Sequence, residues 1–271
     1  MRIPLFQIDA FTGTLFRGNP AAVCPLEDWL EDTLLQSIAA ENNLSETAFF
    51  VESGEDYQLR WFTPTTEVRL CGHATLASAH VIWNHLRSEK PRLNFHTRGG
   101  VLSVERRRDL IVLSFPLLEA GRCEDPPETL REGLVRIPLE VRVQVNADGS
   151  GNYLAVYEEE SAVRNLDPKF DPLAGLTGMG VIATARSEEA DFVSRYFAPG
   201  FGIPEDPVTG SAHCTLIPYW AQRLGKEQLH AFQVSARGGE LFCRLHPGHV
   251  EIAGRAVCYL EGTVLLPDPR V

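Results

Sequence analysis

The sequence predicts an α+β protein built from two related halves. Two observations carry this reading. An ordered set of features occurs twice: Arg60-Trp61-Phe62-Thr63-Pro64 is answered by Arg195-Tyr196-Phe197-Ala198-Pro199, an offset of 135 positions (195 less 60). Beyond each lies an acidic residue and then a glycine that opens a helical stretch. These are Gly72-His73-Ala74 and Gly210-Ser211-Ala212, now offset by 138 (210 less 72). Strand, loop, acid and helix recur in one order, which favours duplication over chance. The second observation is that both helices are apolar on more than one face. Leu76, Val81, Ile82 and Trp83 recur in the first, and Leu216, Ile217, Tyr219 and Trp220 in the second. A helix of that kind is normally surrounded by protein.

The elements follow in order. Residues 3–11 read as a strand, and 27–42 as an amphipathic helix in which Trp29, Leu30, Leu34, Leu35 and Ile38 keep helical spacing. Strands are expected at 47–52 and 57–62, the second stopped by Pro64, followed by a helix over 72–86. Segments 92–96, 100–105 and 109–115 alternate like a meander, with Arg106-Arg107-Arg108-Asp109 as a hairpin turn. The stretch 116–140 is rich in proline and charge and reads as a connection between domains. Strands resume at 141–146 and 152–157. A helical stretch near 167–175 follows, then strands at 179–184 and 191–197, a helix at 210–224, and short strands to the end. Pro218 should kink or shorten that last helix. The domains are placed at 1–116 and 117–259, with about 260–271 joining the first.

Bulk properties narrow the function. The chain has 271 residues and a formal net charge of −11. An acidic balance argues against nucleic-acid or anionic-membrane partners, which need clustered cations. The N-terminal stretch does not read as a signal peptide, and no run approaches the roughly 18 apolar residues of a membrane span. The expected location is cytoplasmic. Cys24, Cys71, Cys123, Cys214, Cys243 and Cys258 are scattered without zinc-site spacing. His73, His80 and His85 lack the i, i+4 spacing of a helical metal pair, so no metal is expected. Dinucleotide, Walker, H-E-x-x-H and G-x-S-x-G motifs do not occur, so no cofactor is expected either.

Several residues admit two readings. Two helix starts with short, glycine-containing loops can present free N–H groups and a positive dipole end to an anion. Each glycine can equally serve a tight turn. Thr209 or Ser211 can cap the second helix. Asp206, held extended before Pro207, is either a reactive acid or a surface acid that complements the dipole. His73 is either a packing residue or a neutral imidazole, since a helix N-terminus disfavours its charged form. Glu46 stands at a helix-to-strand junction among Leu44, Ala48, Phe49 and Phe50. It is either a solvated turn residue or a base whose pKa burial raises toward neutrality.

Four blocks then resemble a known family. "DAFTGTLFRGNPAAV" (9–23), "NLSETAFF" (43–50), "RWFTPTTEVRLCGHATLASAH" (60–80) and "GFGIPEDPVTGSAHC" (200–214) are similar, in order, to the phenazine-biosynthesis PhzF-like isomerase family. They cover most of the N-terminal half and the core of the C-terminal half. The resemblance implies the diaminopimelate epimerase-like fold, two pseudo-symmetric domains each with a curved sheet wrapped around a central helix. It implies an active site between the domains and a homodimer. It makes Glu46 the acid/base that moves a proton on a small cyclic acid, with His73 and Asp206 assisting. The resemblance also implies that Gly72, His73, Gly210 and Ser211 hold the substrate carboxylate at the helix starts, with Ser45 in the substrate-binding set. Cys71 stands where related epimerases carry a first thiol. The second half offers Asp206-Pro207 in place of a partner thiol, so Cys71 reads as a packing residue.

The expected function is a cofactor-independent isomerase acting on a small carboxylic acid. Two alternatives stand beside it: an epimerase or racemase of a small acid, and a catalytically silent binding protein of the same fold. Loops 12–19 and 146–152 are where specificity is expected.

Overall fold

In the computed structural model, which describes residues 1–267, one unit comprises Met1–Ser114 with the chain from Ala253 on, and the other Phe115–Ile252. The joining stretch expected at about 260–271 is thus described only as far as 267, and its last residues lie outside the described ones. No helix among the described residues is long and apolar enough to cross a membrane.

In the first unit β1 (Arg2–Ala10) pairs antiparallel with β2 (Asn19–Leu26), and β2 runs parallel to β3 (Glu46–Ser53). β3 turns back into β4 (Asp56–Phe62), whose end carries the short β5 (Glu67–Val68). β6 (Arg92–Thr97) lies parallel to β4 and continues as a meander through β7 (Gly100–Arg107) and β8 (Leu110–Pro116). Helix α1 (Asp32–Asn42) covers β3 and β4, while α2 (Gly72–Asn84) packs on β1, β2 and β3. From His73 to Trp83 every α2 residue except His80 is buried. A helix enclosed in this way leaves its polar side chains no water, so they bond back one turn. Thr75 Oγ1 donates to the Cys71 carbonyl at 2.5 Å and Ser78 Oγ to the Ala74 carbonyl at 2.8 Å.

The second unit repeats this order. β9 (Gly121–Arg122) pairs with β10 (Glu140–Val145), β10 with β11 (Gly151–Val156), and β11 runs parallel to β12 (Met179–Arg186). β12 turns back into β13 (Phe192–Ala198), which carries the short β14 (Ile203–Asp206) and lies parallel to β15 (Gln228–Gln233). β16 (Gly239–His246) and β17 (His249–Gly254) follow. β18 (Ala256–Leu265) pairs with β1 as β9 pairs with β10. Three short helices, α3 (Glu128–Leu134), α4 (Glu160–Arg164) and α5 (Phe170–Ala174), cover an apolar cluster that includes Leu130, Val163, Leu173, Val193 and Phe197. The enclosed helix here is α6 (Gly210–Leu224).

The repeat reaches individual bonds. Arg60 forks onto Glu67 with two contacts of 2.8 Å, and Arg195 onto Glu205 at 2.7 and 2.8 Å. Each guanidinium also lies over the ring two residues on, Phe62 at 5.1 Å and Phe197 at 4.9 Å. Thr75 bonds the carbonyl of the residue before α2, and His213, its counterpart, uses Nδ1 to bond the Thr209 carbonyl before α6 at 2.8 Å.

Some expectations need correction. The first helix begins at Asp32, not 27; Trp29 lies outside it, with its indole N–H donating to Gln58 Oε1 at 2.7 Å. β2 was not foreseen; its Pro20 and Pro25 both sit near strand ends, where a lost N–H is tolerated. The stretch 116–140 contains β9 and α3. α6 runs through Pro218 unbroken. Proline removes the N–H that would bond the Cys214 carbonyl, and the backbone N–H of Leu118 takes that carbonyl instead, at 3.1 Å.

Candidate active site

Glu46 is placed by an abrupt reversal. Asn43 closes α1 in the left-handed conformation (φ 48°), and β3 begins at Glu46. Asparagine accepts that backbone more readily than most residues. Ser45, half-buried, precedes Glu46 in the same turn. The Glu46 carboxylate faces the start of α2, where its Oε2 lies 3.1 Å from His73 Nε2. The two side chains are 13% and 7% exposed. Both atoms are buried and neither is engaged in an aligned hydrogen bond. At the other ring nitrogen, the Asn19 amide lies 3.3 Å and Cys71 Sγ 3.6 Å from Nδ1.

Asn19 arrives through a constrained loop. Asp9 Oδ2 accepts the Phe16 N–H at 2.9 Å, and Gly18 takes a left-handed φ of 67°. A Cβ at Gly18 would stand 2.1 Å from the Ala10 carbonyl oxygen, so only glycine fits.

Burial opposes a charge on His73, but Cys71 and the Glu46 carboxylate outweigh it and hold the imidazole's pKa well above its ordinary value. Glu46 is the effective partner near neutral pH. Burial, and then the Glu46 charge, push the Cys71 thiol up to about 11, so it is uncharged there. The Glu46 carboxylate at 3.1 Å thus works against the preference of a helix N-terminus for the neutral imidazole.

Glu46, Cys71 and His73 also offer ligand atoms within 4.8 Å of one another, all of types that bind zinc. A search for histidines one turn apart on a helix could not see this set, because Glu46 comes from another element.

Asp206 ends β14 and is buried. The Thr209 hydroxyl makes a short hydrogen bond to its Oδ2. Gln233 ties the group together: Nε2 donates to the Asp206 carbonyl at 2.8 Å and Thr209 Oγ1 at 3.1 Å, while Oε1 accepts the Thr209 N–H at 2.8 Å. Thr209 does occupy the N-cap position of α6, but its hydroxyl is committed to Asp206, and neither it nor Ser211 caps the helix. Cys71 likewise precedes α2 without a side-chain cap. Gly72 and His73, and in the other unit Gly210 and the exposed Ser211, thus open two helices whose starts carry no side-chain cap.

The sequence did not single out Asn19 or Gln233. Each reaches its partner from a distant segment, and no local pattern marks such a convergence.

Comparison with known proteins bears on this geometry. Residues 8–262 match the family model described as phenazine biosynthesis-like protein. An uncharacterized isomerase of Pseudomonas aeruginosa is 50% identical over 266 residues, covering 98% of this chain and all of that one. The crystal structure of a phenazine biosynthesis protein of the PhzF family from Enterococcus faecalis superposes with a TM-score of 0.92 at 42% identity, covering 98% of this chain and all of that one. A hydroxyproline epimerase from Agrobacterium vitis shares the fold at 12% identity, with a TM-score of 0.64 over 99% of this chain and 94% of that one. The α+β, epimerase-like architecture expected from the sequence is thus the architecture found.

Proposed function

The chain belongs to the phenazine biosynthesis-like PhzF family, and from that premise we propose that it is a cofactor-independent isomerase that relocates a proton on a small, cyclic carboxylic acid. One observation carries the proposal: a carboxylate and a histidine, 3.1 Å apart, buried and unaligned with each other, at the uncapped start of an enclosed helix. Buried polar groups without a completed hydrogen bond call for an explanation, and a third group bound between them supplies one.

In this reading the substrate carboxylate docks on the first-turn N–H groups at Gly72 and His73, where the helix dipole favours an anion. Ser45, Gly210 and Ser211 are assigned to the same binding task. Glu46 takes a proton from the carbon acidified by conjugation and returns it elsewhere on the conjugated system. The His73 cation stabilises the negative charge that develops as the proton leaves. Asp206, polarised by Thr209, is assigned to assist proton transfer.

An epimerase needs a second base on the opposite face. Cys71 is poorly suited, with its thiol pushed up to about 11 by burial and Glu46. Deuterium incorporation from solvent at a stereocentre, without double-bond migration, would nevertheless favour that reading.

The test begins with an NMR screen of small cyclic carboxylic acids for proton relocation. Glu46→Gln is expected to keep its circular dichroism and melting temperature while losing about 10²–10⁴-fold in turnover, the usual worth of a general base. Unchanged turnover by that variant sinks the assignment.

A further inference from the structure

Beside Glu46 and His73 stands a third group, Cys71, that proton transfer leaves idle. It immediately precedes α2, with Sγ 3.6 Å from His73 Nδ1. Glu46, Cys71 and His73 each offer one ligand atom within 4.8 Å of the other two. All three belong to the first unit. An oxygen, a sulfur and a nitrogen thus converge from the first residue of β3 and the entrance of α2. At the equivalent entrance of α6 stand Thr209 and Ser211, so the donor set belongs to the first half alone.

Two of these atoms lack the partners that buried polar groups normally have. Glu46 Oε2 and His73 Nε2 are buried without an aligned hydrogen bond, 3.1 Å apart. That is close to the roughly 3.3 Å separating an oxygen and a nitrogen on one tetrahedral zinc. Cys71 Sγ has to close at most about 1.2 Å to reach the edge that a zinc–sulfur bond sets, which is within the sweep of a turn about its Cα–Cβ bond. Glu46 keeps 13% of its side chain exposed, which gives an ion its way in.

Charge favours the exchange. Without metal the site holds a carboxylate, an imidazolium and a thiol, which sum to zero. With Zn²⁺ bound it holds a carboxylate, a neutral imidazole and a thiolate around the cation, and the sum is again zero. One Zn²⁺ enters and two protons leave to solvent, one from His73 and one from Cys71. Neither state buries a net charge, so the exchange avoids the large penalty of an isolated buried ion. Sulfur and nitrogen donors suit zinc, whereas Mg²⁺ and Ca²⁺ demand a shell of oxygens that three such ligands do not supply.

We infer that Glu46, Cys71 and His73 form a binding site for a zinc ion that shuts off the acid/base pair, with solvent in the fourth position. The cation takes the lone pairs with which Glu46 and His73 would handle a proton. Coordination stands on these three side chains; the loss of turnover rests on the isomerase reading above.

Cobalt(II) and zinc(II) chloride, titrated into the full chain after dialysis against a chelator, test it. Cobalt should give a thiolate-to-cobalt charge-transfer band and the intense visible bands of a four-coordinate ion, and zinc should bleach both while magnesium bleaches neither. Cys71→Ser should remove the charge-transfer band, whereas Cys258→Ser, at a half-buried cysteine elsewhere, should keep it. Glu46→Gln and His73→Gln, with unchanged circular dichroism, should each weaken cobalt binding at least about tenfold. A wild type without the band, a band that survives Cys71→Ser, or an affinity unmoved by Glu46→Gln overturns the site. Turnover of the acid found by the NMR screen should fall about 10²-fold or more at saturating zinc, as for loss of a general base, and return with EDTA. Full turnover with zinc bound overturns the shut-off. A chain that binds cobalt but converts no acid sinks the isomerase reading and the shut-off with it, and leaves the metal site standing.

Discussion

Glu46 and His73 illustrate how little of a site's chemistry is local. Neither residue's neighbours in sequence mark it as charged and unsolvated; the 3.1 Å approach across two elements does. The consequence has a definite sign. His73 has a folded pKa well above its unfolded value, which is near 6.5. Its contribution to stability is fully present below pH 6.5 and is lost as pH rises through the raised folded value. Denaturant midpoints of wild type and His73→Gln, compared from pH 6 to 10, should therefore converge in alkali, with the wild type losing the difference. Turnover should persist past pH 6.5, where an ordinary histidine would have discharged, and fall only in distinctly alkaline buffer. A difference that stays constant across this range would show that His73 is neutral in the fold.

Among the elements, the most legible were those whose sequence had one possible environment. α2 and α6 are apolar on several faces, and both are enclosed. The repeated Arg-aromatic-Phe strands were legible too, because a duplicated pattern is its own control. Less legible were elements defined by partners: β2, which carries Pro20 and Pro25, and the meeting of Gln233 with Thr209 and Asp206. The duplicated ion pairs allow a paired prediction. Removing one partner of a largely buried bidentate pair strands the other charge, at a cost of roughly 3–5 kcal/mol when burial is complete. Glu205 depends on Arg195, whereas Glu67 is also reached by Arg98. Urea denaturation should thus find Arg195→Met more damaging than Arg60→Met, although the two arginines occupy equivalent positions. Equal losses would mean that Arg98 gives Glu67 no support.

At the scale of the molecule, acid should be the more dangerous direction. Burial pushes His80 and His213 down to about 4, so both stay neutral in the fold at pH values where the unfolded chain is protonated. Their sign is opposite to that of His73: stability falls as pH drops from about 6.5 toward 4. For the fully enclosed His213 the loss approaches roughly 3 kcal/mol at pH 4, at 1.36 kcal/mol per unit. His213→Gln, which can still donate to the Thr209 carbonyl, should flatten this limb of a melting-temperature profile. A chain made of two similar halves also faces a sorting problem, since a segment meant for one half meets near-copies of its target in the other. Pro218 distinguishes them. At the equivalent place in α2 stands His80, which keeps its N–H for the helix, so the carbonyl one turn back is occupied. In α6 that carbonyl, on Cys214, is open, and Leu118 claims it. The open Cys214 carbonyl thus gives the segment at Leu118 an anchor that the equivalent carbonyl of α2, already bonded within its helix, does not offer.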